Sequence, residues 1–322
     1  MFTSVELCAG AGGQALGLEQ AGFQHRALVE YESKYAATLT LNRPDWTVYA
    51  QDLRTWATES AHLYRGADLV AGGLPCPPFS KAGKQLGDQD ERNLFPAALQ
   101  VIETIRPKAV LIENVRGFLD AVFEDYRLSL RRQLQDLGYV VDWRLLNASD
   151  FGVPQLRPRV AIVAYRVDVA DHVEWPVWET IAASTVGDTL YPLMAANGWR
   201  GAKAWRKRAD EIAPTLVGGS TKHGGPDLGP TRAKRAWAAL GVDGMGIADA
   251  PPEKDFVGMP RLTVDMAKLI QGFPMDWKLA GKKTIAYRQV GNAFPPPVAR
   301  ALGLKIRSVL QAAEAKRITR VS

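Results

Sequence analysis

The sequence predicts a doubly wound α/β domain with a mostly parallel sheet, together with a second, smaller and more irregular domain. In the first half of the chain, short apolar runs alternate with helical patterns, and this alternation is typical of a parallel sheet covered by helices. After Tyr165 the alternation stops, and the stretch up to Met259 is rich in glycine, proline and tryptophan. A chain of 322 residues is long enough for two domains.

The predicted elements follow one another along the first half of the chain. Strands are predicted at residues 3–8, 26–30, 47–50, 68–71, 109–113, 140–146 and 160–164. Helices are predicted at residues 13–21, 33–42, 94–105 and 126–137, and another helix, opened by prolines, at 295–309. We expect residues 1–170 and 284–322 to form the α/β domain and residues 171–283 to form the smaller domain.

The composition argues against several classes of protein. No stretch of 18 or more apolar residues occurs, so the sequence predicts no membrane span. The apolar run at the amino terminus is broken by Glu6 and has no basic segment before it, which argues against a signal peptide. Cys8 and Cys76 are the only cysteines, and so sparse a pair indicates a reducing compartment such as the cytoplasm. The four histidines show no metal-ligand spacing, so we expect no metal.

The net charge of +6 is concentrated near the carboxyl terminus. Residues 261–322 contain 12 basic and 3 acidic side chains, whereas the preceding residues are close to neutral. Residues 203–208 (KAWRKR) and 231–235 (TRAKR) form two further basic segments. Clustered lysine and arginine side chains can neutralise phosphates, so a polyanionic partner is one interpretation of these segments and a solvated surface is the other.

The run LCAGAGGQALG follows the first predicted strand and begins the first helix. Gly10, Gly12 and Ala15 fit the G-x-G-x-x-G/A pattern, and Glu30 follows about 20 residues later, at the end of the second strand. Glycines let the backbone approach a ligand, and an acidic side chain at this place can bind ribose hydroxyls. Asp52, after the third strand, can accept a hydrogen bond from an adenine amino group. The loop suits a dinucleotide or a nucleoside such as S-adenosylmethionine, so an oxidoreductase is still open at this point.

Three further groups of residues lie where strands of the predicted sheet begin or end. The fourth strand is followed by GGLPCPPFSKAG, in which glycines and prolines leave Cys76 on a rigid loop at the edge where ligands bind in doubly wound sheets. Glu113 ends the fifth strand at the same edge, where a carboxylate is costly unless it is used or paired. Gln155, Arg157 and Arg159 occupy alternate positions entering the seventh strand, so we expect all three to face one side. Cysteine, glutamate and arginine can therefore converge on one site.

At these residues the sequence resembles the DNA (cytosine-5)-methyltransferase family. The resemblance rests on six motifs that keep the family's order and leave mainly residues 166–259 unmatched. The motifs are AGAGG, Pro75-Cys76, Glu113-Asn114-Val115, the Gln155/Arg157/Arg159 run, RLTVDMAKLIQGFP (261–274) and YRQVGNAFPPPVA (287–299). The resemblance implies the Rossmann-like fold of class I S-adenosylmethionine-dependent methyltransferases, base flipping, and a variable region that reads the DNA sequence.

The resemblance also implies roles for individual residues. Cys76 matches the nucleophile, Glu113 the acid that engages the ring nitrogen, and Arg159 the contact to the cytosine carbonyl oxygen, with Arg157 in the same catalytic set. S-adenosylmethionine is the implied cofactor. The implied cofactor-binding residues are Ala9, Gly10, Gly12, Gly13, Glu30, Tyr31, Asp52, Leu53, Pro75, Leu94, Asn292 and Ala293. Cys8 departs from the family, in which many members have phenylalanine against the adenine, so we expect Cys8 to be a packing residue.

The expected reaction explains why these residue types occur together. A thiolate that adds to carbon 6 of cytosine makes carbon 5 nucleophilic, and the methyl sulfonium is then attacked in line. Glu113 and Arg159 are expected to stabilise the charge that is pushed onto the ring. Glu113 has to be protonated to donate, which we expect in a water-poor pocket.

The resemblance implies double-stranded DNA as the partner of a monomeric, prokaryotic and nucleoid-associated enzyme, with a cognate restriction endonuclease as a further expected partner. Three alternatives stay open. They are an RNA (tRNA) cytosine-5 methyltransferase on the same scaffold, a DNA-binding relative without catalysis, and a nicotinamide-dependent oxidoreductase. The size of the variable region favours DNA over RNA, and the presence of Cys76 together with Glu113 argues against the other two.

Overall fold

The computed structural model describes residues 1–75, 93–175, 181–218 and 226–321. The chain forms two compact units. The first unit comprises Met1–Leu146, Pro158–Val177 and Val298–Ser322, and the second comprises Asn147–Arg157 and Trp178–Pro297.

A single sheet lies at the centre of the first unit. Within the described ranges it has seven strands, β1 (Phe2–Leu7), β2 (Phe23–Val29), β3 (Val48–Tyr49), β4 (Leu69–Gly73), β5 (Ala109–Val115), β6 (Tyr139–Asn147) and β7 (Pro158–Arg166). Their spatial order is β3-β2-β1-β4-β5-β7-β6. Strands β1 to β5 pair in parallel with their neighbours, whereas β7 is antiparallel to β5. The prediction of a doubly wound, mostly parallel sheet is confirmed.

Helices lie between the strands, and shorter helices occur in the second unit. They are α1 (Gly13–Gln20), α2 (Ser33–Asn42), α3 (Leu53–Glu59), α4 (Phe95–Ile105), α5 (Glu124–Asp136), α6 (Val186–Met194), α7 (Ala202–Arg208), α8 (Thr231–Ala239), α9 (Val264–Ile270), α10 (Lys283–Asn292) and α11 (Pro296–Val321). Across the ranges that the structure describes, none of these helices has the length and apolar character needed to cross a bilayer.

The predicted strands and helices of the first half are present, and their ends differ by at most three residues. Helix α3 was not predicted. This helix has seven residues, which is too few to show a clear periodic pattern in the sequence. The sequence feature that marks its start is the N-cap residue Asp52, whose carboxylate accepts a hydrogen bond from Arg54 N. The last helix continues to Val321 and is therefore longer than the predicted 295–309.

The hydrophobic core of the first unit contains side chains from the strands and from the helices that cover them. Val5 and Leu7 of β1 and Ile112 of β5 are buried in it together with Trp56 of α3, which is fully enclosed. Strands inside a parallel sheet are buried on both faces, so their sequences are almost continuously apolar. The polar residues that follow such strands are therefore held by a rigid platform.

The second unit has a helical core of its own. Trp205 of α7 and Trp237 of α8 are buried in it, and Tyr287 and Val290 of α10 belong to the same core. The region after Tyr165 was predicted to be irregular, and this was wrong for α6, α7 and α8. These helices have only seven to nine residues each, and glycine and proline between them obscure the helical period in the sequence.

The two compact units begin and end at different residues from the domains predicted from the sequence. Residues 147–157 belong to the second unit, because Gln155 forms a β-bridge with Ala213 there. Residues 284–297 belong to it as well, since α10 contributes to the helical core. The predicted domain boundaries were placed where the composition of the sequence changes. Long-range contacts of this kind do not alter the composition, so the sequence did not reveal them.

The packing of β4 against β1 generates a prediction for Gly72. A Cβ at Gly72 would lie 2.8 Å from the carbonyl oxygen of Leu7, so backbone would have to move. We expect Gly72→Ala to lower the free energy of unfolding by about 1–3 kcal/mol, the scale of overpacking, as measured by urea denaturation. Gly73→Ala is the matched control, because its Cβ would meet Glu113 Oε2 at an ordinary 3.5 Å. Equal unfolding free energies for the two variants would contradict the argument.

Candidate active site

The loop between β1 and α1 borders open space. Gly10 and Gly12 have φ angles of +55° and +82°, in the left-handed region that favours glycine. A Cβ at Gly10 would meet nothing within 4 Å. The N–H of Gly10 donates to Glu30 Oε2 at 2.7 Å, and the N–H of Glu32 donates to Glu30 Oε1 at 2.8 Å. The carboxylate at the end of β2 is thereby fixed beside the loop, and each oxygen keeps a lone pair for a ligand hydroxyl.

Cys8 lies at the start of this loop and has an uncommon backbone for a residue with a side chain, with φ of 52°. It is partly buried and packs against the core of the first unit. Burial raises the pKa of the Cys8 thiol, and the carboxylates of Glu30 and Asp52 raise it further. A thiol in this environment stays protonated near neutral pH, which is the behaviour of a packing residue.

The other predicted cofactor residues of this region have varied surroundings. Ala9 and Leu53 are buried, and Gly13 is the first residue of α1. Tyr31, next to Glu30, leaves 70% of its surface exposed. Asp52 caps α3 and also forms an ion pair of 3.2 Å with Arg54, so part of its hydrogen-bonding capacity is used within the protein.

These residues fit a nucleoside that carries a positive charge. Glu30 can accept from ribose hydroxyls, and the open side of Gly10 leaves room for a ligand close to the backbone. Glu30 and Asp52 both act on the Cys8 thiol, so two carboxylates lie around the loop. A sulfonium cofactor such as S-adenosylmethionine is favoured by this negative surrounding.

Strands β4 and β5 bring a second group of residues to the same edge of the sheet. In their parallel register, Gly73 is the partner of Glu113, and a Cβ at Gly73 would lie 3.5 Å from Glu113 Oε2. Leu74 is buried and Pro75 is exposed. The predicted nucleophile Cys76 follows immediately and lies outside the described residues. The chain nevertheless leaves β4 directly beside Glu113.

Glu113 forms an ion pair with Arg159. Arg159 Nε lies 2.7 Å from Glu113 Oε1, and their side chains are 15% and 11% exposed. The pairing follows from the antiparallel register of β5 and β7, in which Arg159 lies opposite Val115. The guanidinium balances the charge of a carboxylate in a poorly hydrated place, and the expectation that Glu113 donates a proton stays a prediction.

Gln155 and Arg157 do not extend the row of Arg159 as predicted, because β7 begins only at Pro158. Both are completely buried. The guanidinium of Arg157 donates to the carbonyl oxygens of Leu216 at 2.7 Å and Gly291 at 2.8 Å. These hydrogen bonds hold backbone inside the second unit, and the catalytic role expected of Arg157 stays a prediction.

The remaining predicted cofactor residues lie at the ends of helices. Leu94 precedes α4 and is partly buried. Asn292 is the last residue of α10 and is exposed, and Ala293 after it is buried. The carbonyl oxygen of Ala293 accepts a hydrogen bond from Gln271 Nε2.

Sequence reasoning missed the importance of Gln271. This fully buried side chain also accepts from Gln155 Nε2 at 2.7 Å, so it joins the end of α9 to Gln155 and to Ala293. A signal for it existed in the run LIQGF, where a glutamine interrupts apolar residues. A buried amide at such a position has to find partners, although the sequence does not show which ones.

The sequence matches the family described as C-5 cytosine-specific DNA methylase over residues 2–308. It is 55% identical over 310 residues to the type II methyltransferase M.NaeI of Lentzea aerocolonigenes, covering 95% of this chain and 75% of that protein. It is 52% identical over 313 residues to the type II methyltransferase M.NgoMIV of Neisseria gonorrhoeae, covering 96% and 98%. The fold is similar to that of a mutant of Spodoptera frugiperda DNMT2, with a TM-score of 0.67, 18% identity and coverage of 95% and 99%.

The contrast between the two arginines generates a prediction. Arg157→Met leaves the carbonyls of Leu216 and Gly291 without donors, so we expect a loss of about 2–5 kcal/mol in the free energy of unfolding. Arg159→Met should cost less stability, because Glu113 left alone can take up a proton. Urea denaturation of both variants measures the difference. An Arg157→Met protein as stable as the unsubstituted one would show that these hydrogen bonds contribute little.

Proposed function

The chain belongs to the family of C-5 cytosine-specific DNA methylases, and we propose that Cys76, Glu113 and Arg159 perform the chemistry of cytosine methylation in it. It is a DNA (cytosine-5)-methyltransferase, and the family implies S-adenosylmethionine as its methyl donor. The observation that supports the proposed site best is the register of β4 and β5, because the strand that leads to Cys76 ends beside Glu113.

Carbon 5 of cytosine is a poor nucleophile, and covalent catalysis by Cys76 makes it reactive. The thiolate adds to carbon 6 of the cytosine, and the electron pair of the 5,6 double bond becomes available at carbon 5. Bound S-adenosylmethionine supplies an electrophilic methyl group to that carbon. A base then removes the proton from carbon 5, and the electrons of that C–H bond re-form the double bond as the Cys76 thiolate leaves.

Glu113 and Arg159 act on the charge that the addition of Cys76 creates. Arg159 is suited to the carbonyl oxygen of the ring, because its guanidinium can donate along a fixed fork. Glu113 is suited to ring nitrogen 3, but it has to take up a proton before it can donate one. We expect this when the target base enters and Arg159 turns from the carboxylate towards the ring, since the loss of the ion pair of 2.7 Å makes the carboxylate easier to protonate.

The environment of Cys8 argues against a nucleophilic role for that residue. Cys8 has a raised pKa because of burial and nearby carboxylates, so a negligible fraction is thiolate near neutral pH. Cys76 follows an exposed proline at the edge of the sheet where Glu113 and Arg159 lie. The nucleophile is therefore assigned to Cys76.

The target cytosine has to leave the base stack to reach such a site. We assign sequence reading to the second unit, whose helices α7 and α8 present exposed cations at Lys203, Lys207, Arg232 and Arg235. Among the described residues, these four have no ion pair, whereas Arg206 of the same segment is paired with Asp188 at 2.7 Å. Unpaired cations are available to contact phosphates.

The biological setting is proposed from the relatives. M.NaeI and M.NgoMIV are named type II methyltransferases of bacterial species. We infer that this enzyme modifies DNA in the nucleoid of a prokaryote as the partner of a restriction endonuclease, and that it acts as a monomer. Both relatives match nearly the whole chain.

Duplex DNA with 5-fluorocytosine at the target position tests the proposed nucleophile. Fluorine cannot leave as a cation, so the step that frees the cysteine is blocked after methyl transfer. Incubation of the enzyme with this DNA and S-adenosylmethionine should give a complex that survives denaturing electrophoresis. Cys76→Ser should abolish it, because a hydroxyl is far less ionised than a thiol.

Cys8→Ser is the matched control for the trapping experiment, and it should leave the covalent complex in place. A complex that persists in Cys76→Ser would remove Cys76 from the mechanism. A complex lost in Cys8→Ser but retained in Cys76→Ser would assign the nucleophile to the other cysteine.

The exposed cations of α7 and α8 predict a change in salt dependence. Replacing Lys203, Lys207, Arg232 and Arg235 by alanine should reduce the slope of log affinity against log salt by about 3 to 4, if each contacts one phosphate. Fluorescence anisotropy with duplex DNA between about 50 and 200 mM salt measures the slope. Arg200→Ala, at a residue paired with Asp255, is the control and should leave the slope nearly unchanged. An unaltered slope in the fourfold variant would place the phosphate contacts elsewhere.

A further inference from the structure

Asn292 lies against a glycine that is distant in the sequence. A Cβ at Gly218 would lie 2.2 Å from Asn292 Oδ1, 2.7 Å from Cγ and 3.0 Å from Nδ2. Contacts under 3.0 Å are essentially absent for real Cβ atoms. Any side chain at residue 218 would therefore have to displace the carboxamide of Asn292.

The backbones of the two segments cross at the same place. A Cβ at Gly291 would lie 2.6 Å from Gly218 Cα and 2.7 Å from Gly218 N. Neither glycine has a positive φ, so each is required for space and not for its backbone conformation. The backbone at Gly291 and the backbone at Gly218 are therefore in direct contact, and their separation is fixed because protein interiors are tightly packed.

Buried polar side chains hold this crossing together. Arg157 donates to Leu216 O and to Gly291 O, so one guanidinium joins the two segments. Gln155 Oε1 accepts from Leu216 N at 2.8 Å, and Gln271 donates to Ala293 O. Hydrogen bonds that are shielded from water thus fix Leu216, two residues before Gly218, and the residues on both sides of Asn292. The loss of a hydrogen bond costs most in such surroundings.

We propose that Gly218 is a positioning residue for the cofactor, because its bare backbone supports the carboxamide of Asn292 in the orientation that binds S-adenosylmethionine. The proposal rests on the proposed cofactor role of Asn292. Gly218 itself need not touch the ligand. Its segment lies within residues 166–259, the region that lacks the family's motifs.

A double-mutant cycle on Gly218 and Asn292 tests the proposal. Isothermal titration of S-adenosylhomocysteine without DNA gives the affinity of each variant, and thermal unfolding reports folding. We expect Gly218→Ala and Asn292→Ala each to weaken binding by about tenfold, the scale of one hydrogen bond. The double variant should bind no more weakly than Asn292→Ala, because removing the carboxamide removes both the contact and the collision.

Gly246→Ala is the matched control in the same unit. Its Cβ would meet only the flexible guanidinium of Arg261, at 3.1 Å, so the affinity for S-adenosylhomocysteine should be unchanged. If Gly218→Ala alone fails to fold, the double variant should fold, since Asn292→Ala takes away the atoms that collide. A double variant that also fails to fold would overturn the proposal.

Two further outcomes separate this inference from the proposed function. Unchanged affinity in Gly218→Ala, or independent effects that multiply to about a hundredfold in the double variant, would overturn the positioning role alone. Unchanged affinity in Asn292→Ala would overturn it together with the cofactor role of Asn292. Neither outcome bears on the covalent trapping by Cys76, which does not depend on this residue.

Discussion

The pairing of β4, β5 and β7 is the constraint on which the candidate active site depends. The parallel register of β4 and β5 places Gly73 beside Glu113, and the antiparallel register of β5 and β7 places Arg159 within 2.7 Å of the same carboxylate. A shift of one residue in either register would turn these side chains to the opposite face of the sheet. Such a shift is opposed by the apolar side chains on both faces of the sheet, because each of them would have to repack in a differently shaped part of the core.

The charges around the glycine loop differ from those at the end of β5. Around the glycine loop, burial raises the pKa of the Cys8 thiol and the carboxylates of Glu30 and Asp52 raise it further, which suits an inert thiol. The same two carboxylates suit a cationic cofactor. At the end of β5, Arg159 balances Glu113, so the carboxylate is not left alone in a poorly hydrated place. The same edge of the sheet therefore has one place with two carboxylates, which suits a cation, and another at which a guanidinium lies beside a carboxylate.

In the second unit, the buried guanidinium of Arg157 holds backbone segments together. Arg157 donates to the backbone carbonyls of Leu216 and Gly291 and to the side-chain oxygen of Gln155. Five N–H donors in a fixed plane can join several chain segments at once, which a lysine or an apolar side chain cannot do. With Gln155 and Gln271, this side chain links the segment before Gly218 to the end of α10. The part of this unit that the structure describes consists of short helices, connecting loops and isolated β-bridges, so such links hold its segments together.

The sequence by itself determined the order of strands and helices, the glycine loop with Glu30, and the convergence of Glu113 and Arg159 at one place. These features have local signals: apolar runs of strand length, glycines where the backbone turns, and reactive residues immediately after strands. Only the tertiary structure decided that Arg157 holds backbone while Arg159, two residues later, faces Glu113. The tertiary structure also decided that residues 147–157 belong to the second unit and that Gly218 lies against Asn292. Alternation along a chain shows which side chains share a face, but their partners come from segments that are distant in the sequence, and packing alone brings those segments together.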